Sequence, residues 1–152
     1  MRAAVLTGLG GPEVLVLRND VPVPVPAADE VLIHVAACGM NNTDINTRVG
    51  WYSKSVTEAT NGNGFADATS DDGTWSGSGF RFPRIQGADP SGRVVAVGVD
   101  VDEALIGRRA LVDCCLRDVD EPMRRELAGY LGSERDGGFA EYVSVPARNV
   151  HV

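Results

Sequence analysis

The hydrophobic positions of this chain fall in short runs, and glycine or proline separates most of these runs from one another. Residues 30–38 are predicted to form a strand with two unequal faces, the less apolar of which carries Glu30, Leu32, His34 and Ala36, because successive strand side chains point to opposite faces. His34 then points away from the most apolar face, which favours an exposed or hydrogen-bonded histidine over a metal ligand. The apolar face of this strand is predicted to carry Val31, Ile33, Val35 and Ala37.

Further runs that are rich in Val, Leu, Ala or aromatic residues predict additional short strands. These runs lie at 3–6, 14–17, 93–99, 110–113, 139–146 and 149–152. Residues 82–92 contain many turn-forming residues and predict a connection between strands. The alternating Val and Pro residues of 21–26 predict an extended connector or an edge segment, because proline cannot donate a hydrogen bond to a sheet.

Two short helices are predicted. Residues 41–49 begin with Asn-Asn-Thr-Asp, which offers a capping oxygen and a negative charge for the first turn, and Gly50 would end this helix. Asp120-Glu121-Pro122 is typical of a helix start, so residues 123–130 are predicted to form the second helix. Many short strands, glycine-rich turns and few helices together predict a mainly β fold that resembles a barrel.

Residues 53–80 change the composition abruptly, because Ser, Thr, Gly, Asn and Asp dominate them. Loops this long inside a compact domain are either functional lids or disordered segments. The composition favours a flexible insertion, although Trp75 and Phe80 offer two aromatic rings that can attach its end to the rest of the domain.

The charge and the cysteine content exclude several classes of function. The 152 residues suggest one domain, and 14 basic against 21 acidic residues give a net charge of −7, which argues against a nucleic-acid or anionic-membrane partner. No apolar run is long enough to span a membrane, and the N-terminus lacks a signal-peptide pattern. The three cysteines, two of them adjacent, argue against a disulfide framework and predict a reducing, cytoplasmic location.

The stretch 38–52, C-G-M-N-N-T-D-I-N-T-R-V-G-W-Y, is the strongest candidate for chemistry. It combines amides, a hydroxyl, a carboxylate and two aromatic rings, which is typical of a pocket with a few convergent polar groups rather than of a core. Helix capping by Asn41, Asn42 or Thr43, with Asp44 in the first turn, explains the same residues without any ligand. The two interpretations are compatible, because residues that cap a short helix can also present side chains to a cleft.

Several segments together resemble one known domain. They are M-R-A-A-V-L-T-G-L-G-G-P-E-V-L at 1–15, D-E-V-L-I-H-V-A-A-C-G at 29–39, N-N-T-D at 41–44, R-V-G-W-Y at 48–52, F-P-R-I-Q-G-A-D at 82–89, S-G-R-V-V-A-V-G at 91–98 and G-G-F-A-E-Y-V-S-V-P at 137–146. In this order they are similar to the N-terminal GroES-like catalytic domain of the medium-chain dehydrogenase/reductase superfamily. The resemblance implies one GroES-like, partly open β-barrel over 1–152, with 53–80 and 114–136 as insertions.

The zinc alcohol dehydrogenases of this superfamily have a metal-binding Cys at the position of Asn41 and a His at the position of Ala88. Because an alanine cannot bind a metal, the resemblance implies the zinc-independent branch, which includes quinone oxidoreductases, and no catalytic zinc is expected. A structural zinc needs four spaced cysteines, whereas this chain offers only the adjacent Cys114 and Cys115 after the predicted strand 110–113. A zinc alcohol dehydrogenase with altered ligands is the alternative.

The cysteines are therefore expected to be buried or half-buried thiols. An improvised metal site built from Cys38, His34 and the Cys114–Cys115 pair is a weaker hypothesis.

The resemblance also implies a function, which is the substrate side of an NAD(P)-dependent, zinc-free oxidoreductase that reduces a quinone, an enone or a related carbonyl. The Asn41 amide and the Thr43 hydroxyl would position the substrate or the nicotinamide, and Asp44 would hold these donors in place. Tyr52, and with less support Trp51, would form the wall of the pocket. Asp89 is the second acid expected near the cleft.

The superfamily binds NAD or NADP mainly through a following Rossmann domain, whose G-x-G-x-x-G turn holds the pyrophosphate. No such turn follows a predicted strand here, so this chain alone is expected to bind neither cofactor tightly and to have little turnover. The complete enzyme can be a homodimer. The alternative is a stand-alone interaction module or pseudo-enzyme, and the reading frame after Val152 would distinguish the two.

Overall fold

The computed structural model describes residues 1–53, 71, 74, 76 and 79–152, and these residues are mainly β-strand with short helices, as predicted. The strands are β1 (Ala3–Leu6), β2 (Leu15–Arg18), β3 (Glu30–Gly39), β4 (Arg84–Ile85), β5 (Asp89–Val97), β6 (Arg109–Val112), β7 (Cys115–Leu116), β8 (Gly129–Tyr130), β9 (Tyr142–Pro146) and β10 (Val150–His151). The helix α1 spans Asn42–Arg48. Short 3-10 turns lie at Pro12–Val14, Glu103–Leu105, Arg125–Leu127 and Ala147–Asn149.

Three sheets build the domain. A five-stranded antiparallel sheet in the order β10-β6-β5-β3-β9 curls into half of a barrel, and a three-stranded sheet in the order β2-β1-β4 and the β7-β8 pair complete the described structure. This arrangement confirms the predicted mainly β, GroES-like, partly open barrel. In the described part of the chain, no helix has the length and apolar character of a membrane span.

Strand β3 is central, since it pairs with β5 on one side and with β9 on the other. Val31 and Ile33 are fully buried in the core, as the alternation predicts, and His34 is exposed with its ring centroid 5.0 Å from that of Tyr142. Two irregularities in the β3–β5 register, one of them between Val35 and Ala37, shift the later side chains. The prediction that Ala37 shares the buried face is therefore wrong, because this residue is exposed.

Glu30 departs from the sequence expectation of an outward-facing residue. It is buried at the start of β3, where Arg135 approaches its carboxylate to 2.6 Å and the Ser144 hydroxyl donates a hydrogen bond of 2.6 Å. The backbone N–H of Ala27 donates a third bond of 3.1 Å. A buried carboxylate needs such partners, because an unpaired charge is costly inside a protein.

The predicted α-helix at 123–130 is wrong. The structure forms only the 3-10 turn Arg125–Leu127 and then β8. The Asp118 carboxylate accepts hydrogen bonds from the backbone of Asp120 and Glu121, at 3.0 Å and 2.9 Å, and so stabilises a local turn. Met123 is 88% exposed, and a short helix without a buried apolar face gains little stability.

The segment 82–92 is also more regular than predicted, because it contains β4 and the first residues of β5 around a turn at Gly87. Most of the predicted insertion 53–80, including Trp75, lies outside the described residues. Phe80 is buried, and its ring centroid lies 5.0 Å from that of Phe82.

Candidate functional site

Helix α1 begins with a capping box. Asn41 has an extended backbone, with φ −136° and ψ 178°, and its side-chain oxygen accepts a 2.7 Å hydrogen bond from the Thr43 N–H. The Asp44 carboxylate accepts the Asn41 N–H in return at 3.0 Å, so two backbone donors of the helix start are satisfied. Gly50, with φ +76°, follows the helix end. The capping interpretation of this sequence is thus confirmed.

Asp44 also joins α1 to the turn between β4 and β5. Its Oδ1 accepts a 3.2 Å hydrogen bond from the Gly87 N–H, and the Gln86 side chain donates to the Asp44 carbonyl at 3.0 Å. The carboxyl is buried, and this burial, together with the charge of Asp89, raises the pKa of Asp44. Both oxygens of the buried acid therefore serve to fix the helix start against the strand pair.

The structure brings Asn41 and Asp89 together. The Asn41 side-chain amide donates a 2.7 Å hydrogen bond to Asp89 Oδ2 at the start of β5. An asparagine amide carries two N–H donors, and Oδ1 is already occupied by the Thr43 N–H. Among the described residues, no partner takes the second amide hydrogen of Asn41, so it is left for a ligand. It lies beside the exposed carboxylate of Asp89.

Cys38 lies beside this pair, but its thiol is not activated. Burial raises the pKa of Cys38 to about 12, and the charges of Asp44 and Asp89 act in the same direction. Cys114 is half-buried like Cys38, whereas Cys115 is exposed, so the prediction of buried or half-buried thiols is wrong for Cys115.

The residues at the zinc positions do not fit a catalytic zinc. Asn41 uses its oxygen to cap α1 and its amide to hold Asp89, and Ala88 is a buried residue whose methyl group offers no lone pair. A catalytic zinc needs three protein ligands and an open fourth position. Of the three residues Asn41, Ala88 and Asp89, Asp89 alone remains as a donor, and we derive no chemical step through zinc.

Among the described residues, the metal-ligating side chains that converge are Asp113, Cys114 and Cys115, with their ligand atoms within 4.8 Å of one another. Structural zinc sites are closed by four ligands, and Asp113 Oδ1 already accepts a 2.9 Å hydrogen bond from the Cys115 N–H. The structure does not join Cys38 or His34 to this group, so the improvised site suggested by the sequence is not assembled.

The two aromatic residues of the candidate stretch lie in different environments. Tyr52 lines a small cavity of about 10 Å³ together with Thr43 and Asp44, which is room for about one water molecule. Trp51 is 41% exposed and contacts the edge of Tyr52, with ring centroids 5.3 Å apart at 77°. Tyr52 therefore lies against the capped helix start, whereas Trp51 lies outside this cavity.

Sequence reasoning missed Tyr130, which lines the same cavity from β8. Burial raises the pKa of Tyr130, as do its hydrogen bond with Cys114 and the nearby charge of Asp89. The residue belongs to the segment 114–136, which the resemblance treats as an insertion. The one available signal was an aromatic residue within the glycine-flanked sequence Gly-Tyr-Leu-Gly at 129–132.

A curled antiparallel sheet with one short capped helix defines the domain as GroES-like. Residues 27–152 match the family of the alcohol dehydrogenase GroES-like domain, and the chain therefore belongs to that family within the medium-chain dehydrogenase/reductase superfamily.

Several of the relatives that match are named as oxidoreductases or dehydrogenases. The quinone oxidoreductase of Lama guanicoe is 30% identical over 151 residues, which are 99% of this chain and 33% of that protein. A crystal structure of a Sinorhizobium meliloti 1021 protein classed with the alcohol dehydrogenases is 47% identical, with a TM-score of 0.80, over 100% of this chain and 39% of that chain. A second structure from the same organism, classed as a zinc-binding dehydrogenase and bound to NADP, is 25% identical, with a TM-score of 0.73, over 99% of this chain and 37% of that one.

The chain thus spans between 33% and 39% of the length of these relatives. In the described residues, the seven-residue helix α1 follows β3 without a G-x-G-x-x-G turn between them. The connection between β3 and α1 therefore lacks the glycine-rich turn at which the pyrophosphate of a dinucleotide binds.

Proposed function

We propose that this chain forms the substrate side of a zinc-independent, NAD(P)-dependent oxidoreductase that reduces a quinone, an enone or a related carbonyl compound. The observation that carries the proposal is the 2.7 Å hydrogen bond between Asn41 and Asp89, with Ala88 beside it. The Asn41 amide takes the place where a zinc enzyme of this superfamily would have a thiolate, and the methyl group of Ala88 takes the place of its imidazole. The quinone oxidoreductase of Lama guanicoe, which is 30% identical over 99% of this chain, supports the substrate class.

In this proposal the carbonyl oxygen of the substrate is bound by hydrogen-bond donors instead of a metal ion. The second Asn41 amide hydrogen and the Thr43 hydroxyl are the donors, and they are held in place before the substrate binds because the capping box fixes the backbone around both residues. Asp89 orients the Asn41 amide from one side, and Asp44 fixes the helix that carries it. NAD(P)H is the hydride donor, and the superfamily resemblance implies that a following Rossmann domain holds most of it.

Tyr52 and Tyr130 have supporting roles in the proposal. Both line the small cavity behind Thr43, and this cavity has room for only about one water molecule. Water is thus largely excluded from the side of the site that faces the cavity. Trp51, with its exposed ring, offers a flat apolar surface at the outer edge for a quinone or another planar substrate. The open side of Asn41 and Asp89 is where the substrate would enter.

Replacing the Asn41 amide tests these roles. We expect Asn41→Ala to lower kcat for quinone reduction at least about tenfold, because removing one oriented donor to a developing oxyanion costs a factor on the order of 100 or more in favourable cases. The assay uses a chimera in which this chain replaces the matching part of the Sinorhizobium meliloti 1021 protein that is 47% identical to it. NAD(P)H oxidation is followed with a panel of quinones and enones.

Asn42→Ala is the matched control, since Asn42 is exposed and neighbours Asn41 without a side-chain bond to the site. It is expected to keep its activity. Full activity in both Asn41→Ala and Thr43→Ala would refute the assigned roles. A chimera that binds NAD(P)H but oxidises it with none of the quinones and enones would refute the proposed reaction.

A further inference from the structure

The five-stranded sheet carries a groove of about 680 Å³ that the proposed reaction does not use. Its lining includes His34 and Ala36 from β3, Arg93 from β5, Arg109 and Leu111 from β6, and His151 from β10. The volume is within the range of about 300–1,000 Å³ that is usual for small-molecule sites.

The strand register aligns the basic side chains of this groove. His34 lies directly opposite Arg93 in the β3–β5 pair, and Arg93 lies directly opposite Arg109 in the β5–β6 pair. One row across three strands thus carries an imidazole and two guanidinium groups, all exposed. Like charges directly opposite each other in an antiparallel pair are destabilising, so this arrangement needs an explanation.

No negative side chain neutralises the row. Within the described part of the chain, neither Arg93 nor Arg109 has an ion-pair partner, and no Asp or Glu occurs among the residues that line the groove. Arg93 donates one hydrogen bond to the Gly107 carbonyl, which fixes one side of its guanidinium. Val152 also lies in the lining.

The overall charge of the protein makes this groove unusual. The chain has a net charge of −7 and two histidines, and both histidines lie in the groove with the two arginines. The positive charge of this groove therefore does not follow from a generally basic composition. A concave, positively charged surface of this kind concentrates anions locally.

We infer that this groove binds a small organic phosphate, with the phosphate group between Arg93 and Arg109. Two neighbouring guanidinium groups match the charge and the geometry of a phosphate dianion better than those of a single carboxylate. The N–H groups of His34 and His151 are further donors. Leu111, which is 64% exposed, and Ala36 offer apolar contact to the organic part of the ligand.

Isothermal titration calorimetry with phenyl phosphate at constant ionic strength tests this inference on the 152-residue chain. We expect saturable binding, and we expect weaker binding of inorganic phosphate, which lacks an apolar part, and of benzoate, which carries one charge. Arg109→Gln is expected to weaken phenyl phosphate binding at least tenfold. The matched control Arg108→Gln removes the same charge from an exposed neighbour outside the groove lining and should change the affinity less than twofold.

The unfolding midpoint without phosphate separates a loss of binding from a loss of structure. Since Arg109→Gln removes a repulsive cross-strand pair, its midpoint should equal or exceed that of the wild type. Three results would overturn the inference: no saturable binding of phenyl phosphate, an equal loss of affinity in Arg108→Gln and Arg109→Gln, or inorganic phosphate that binds as tightly as phenyl phosphate. The outcome is independent of the reaction proposed above.

Discussion

Gly87→Ala is expected to destabilise the domain by about 4 kcal/mol, because two separate costs act at this position. Gly87 has φ +98°, where an L-residue with a side chain is strained by about 1–2 kcal/mol. A Cβ atom there would also lie 2.6 Å from the Phe139 ring, 2.8 Å from the Phe139 backbone nitrogen and 2.8 Å from Cys38 Sγ. Inserting a group into such a packed site typically costs a further ~1–3 kcal/mol.

Gly107→Ala is the matched control for this prediction. Gly107 has a similar backbone conformation, with φ +83°, but no atom lies within 4 Å of the position that its Cβ would occupy. It should therefore lose only the conformational part, about 1–2 kcal/mol. Urea unfolding of both variants measures the difference, and equal losses would show that packing around Gly87 does not hold the turn that carries Asp89.

Glu30→Gln is expected to remove most of the loss of folding stability that the domain undergoes when the pH is lowered. Burial of Glu30 alone would raise its pKa, but the hydrogen bonds from Arg135, Ser144 and the Ala27 N–H outweigh it and lower the pKa of Glu30 to about 2. Because this folded-state pKa lies below the unfolded-state value, the ionised form stabilises the fold fully above about pH 5. That contribution, on the order of 2 kcal/mol after allowance for solvent screening, is lost as the pH falls towards 2.

Urea unfolding as a function of pH measures this effect. The wild type should lose stability between about pH 5 and pH 2 more steeply than Glu30→Gln, so that the two curves converge in acid. Glu141→Gln is the control, since Glu141 pairs with Arg2 on the surface at 2.9 Å, and its pH dependence should stay close to that of the wild type. Parallel curves for Glu30→Gln and the wild type would contradict the role given to the buried ion pair.

The parts of the fold that follow local rules could be predicted from the sequence. The two-face pattern of 30–38 predicted the fully buried residues Val31 and Ile33, although Leu32 on the opposite face is buried as well, and the Asn-Asn-Thr-Asp sequence predicted the start of α1. Both depend on side chains and backbone groups that are neighbours along the chain. The bulge after Val35 could not be predicted, because it is a property of the pairing between β3 and β5.

The second predicted helix failed for a related reason. The acidic residues and the proline at 120–122 are compatible with a helix start, but a start signal forms a helix only when an apolar face is buried. Met123 is exposed and Asp118 stabilises a turn instead. The rest of the fold decides which side of this segment is buried. A local sequence pattern carries no information about that burial.

The candidate site could be predicted only in part. Asn41 and Asp89 are 48 positions apart in the chain, and Asp44 and Gly87 are 43 positions apart. No periodicity connects such residues, so their proximity was expected from the family resemblance alone. Tyr130 was missed because it lies outside the segments that carry the resemblance, although it lines the same small cavity as Thr43 and Asp44.

The zinc dependence of quinone reduction tests the central proposal most directly. The measurement compares NAD(P)H oxidation by the chimera before and after dialysis against a chelator, with zinc counted by elemental analysis in the same samples. Because Asn41 and Ala88 offer no zinc ligand set, we predict unchanged activity and a zinc content far below one ion per chain. Stoichiometric zinc, together with activity that is lost on chelation and restored by added zinc, would contradict the proposal.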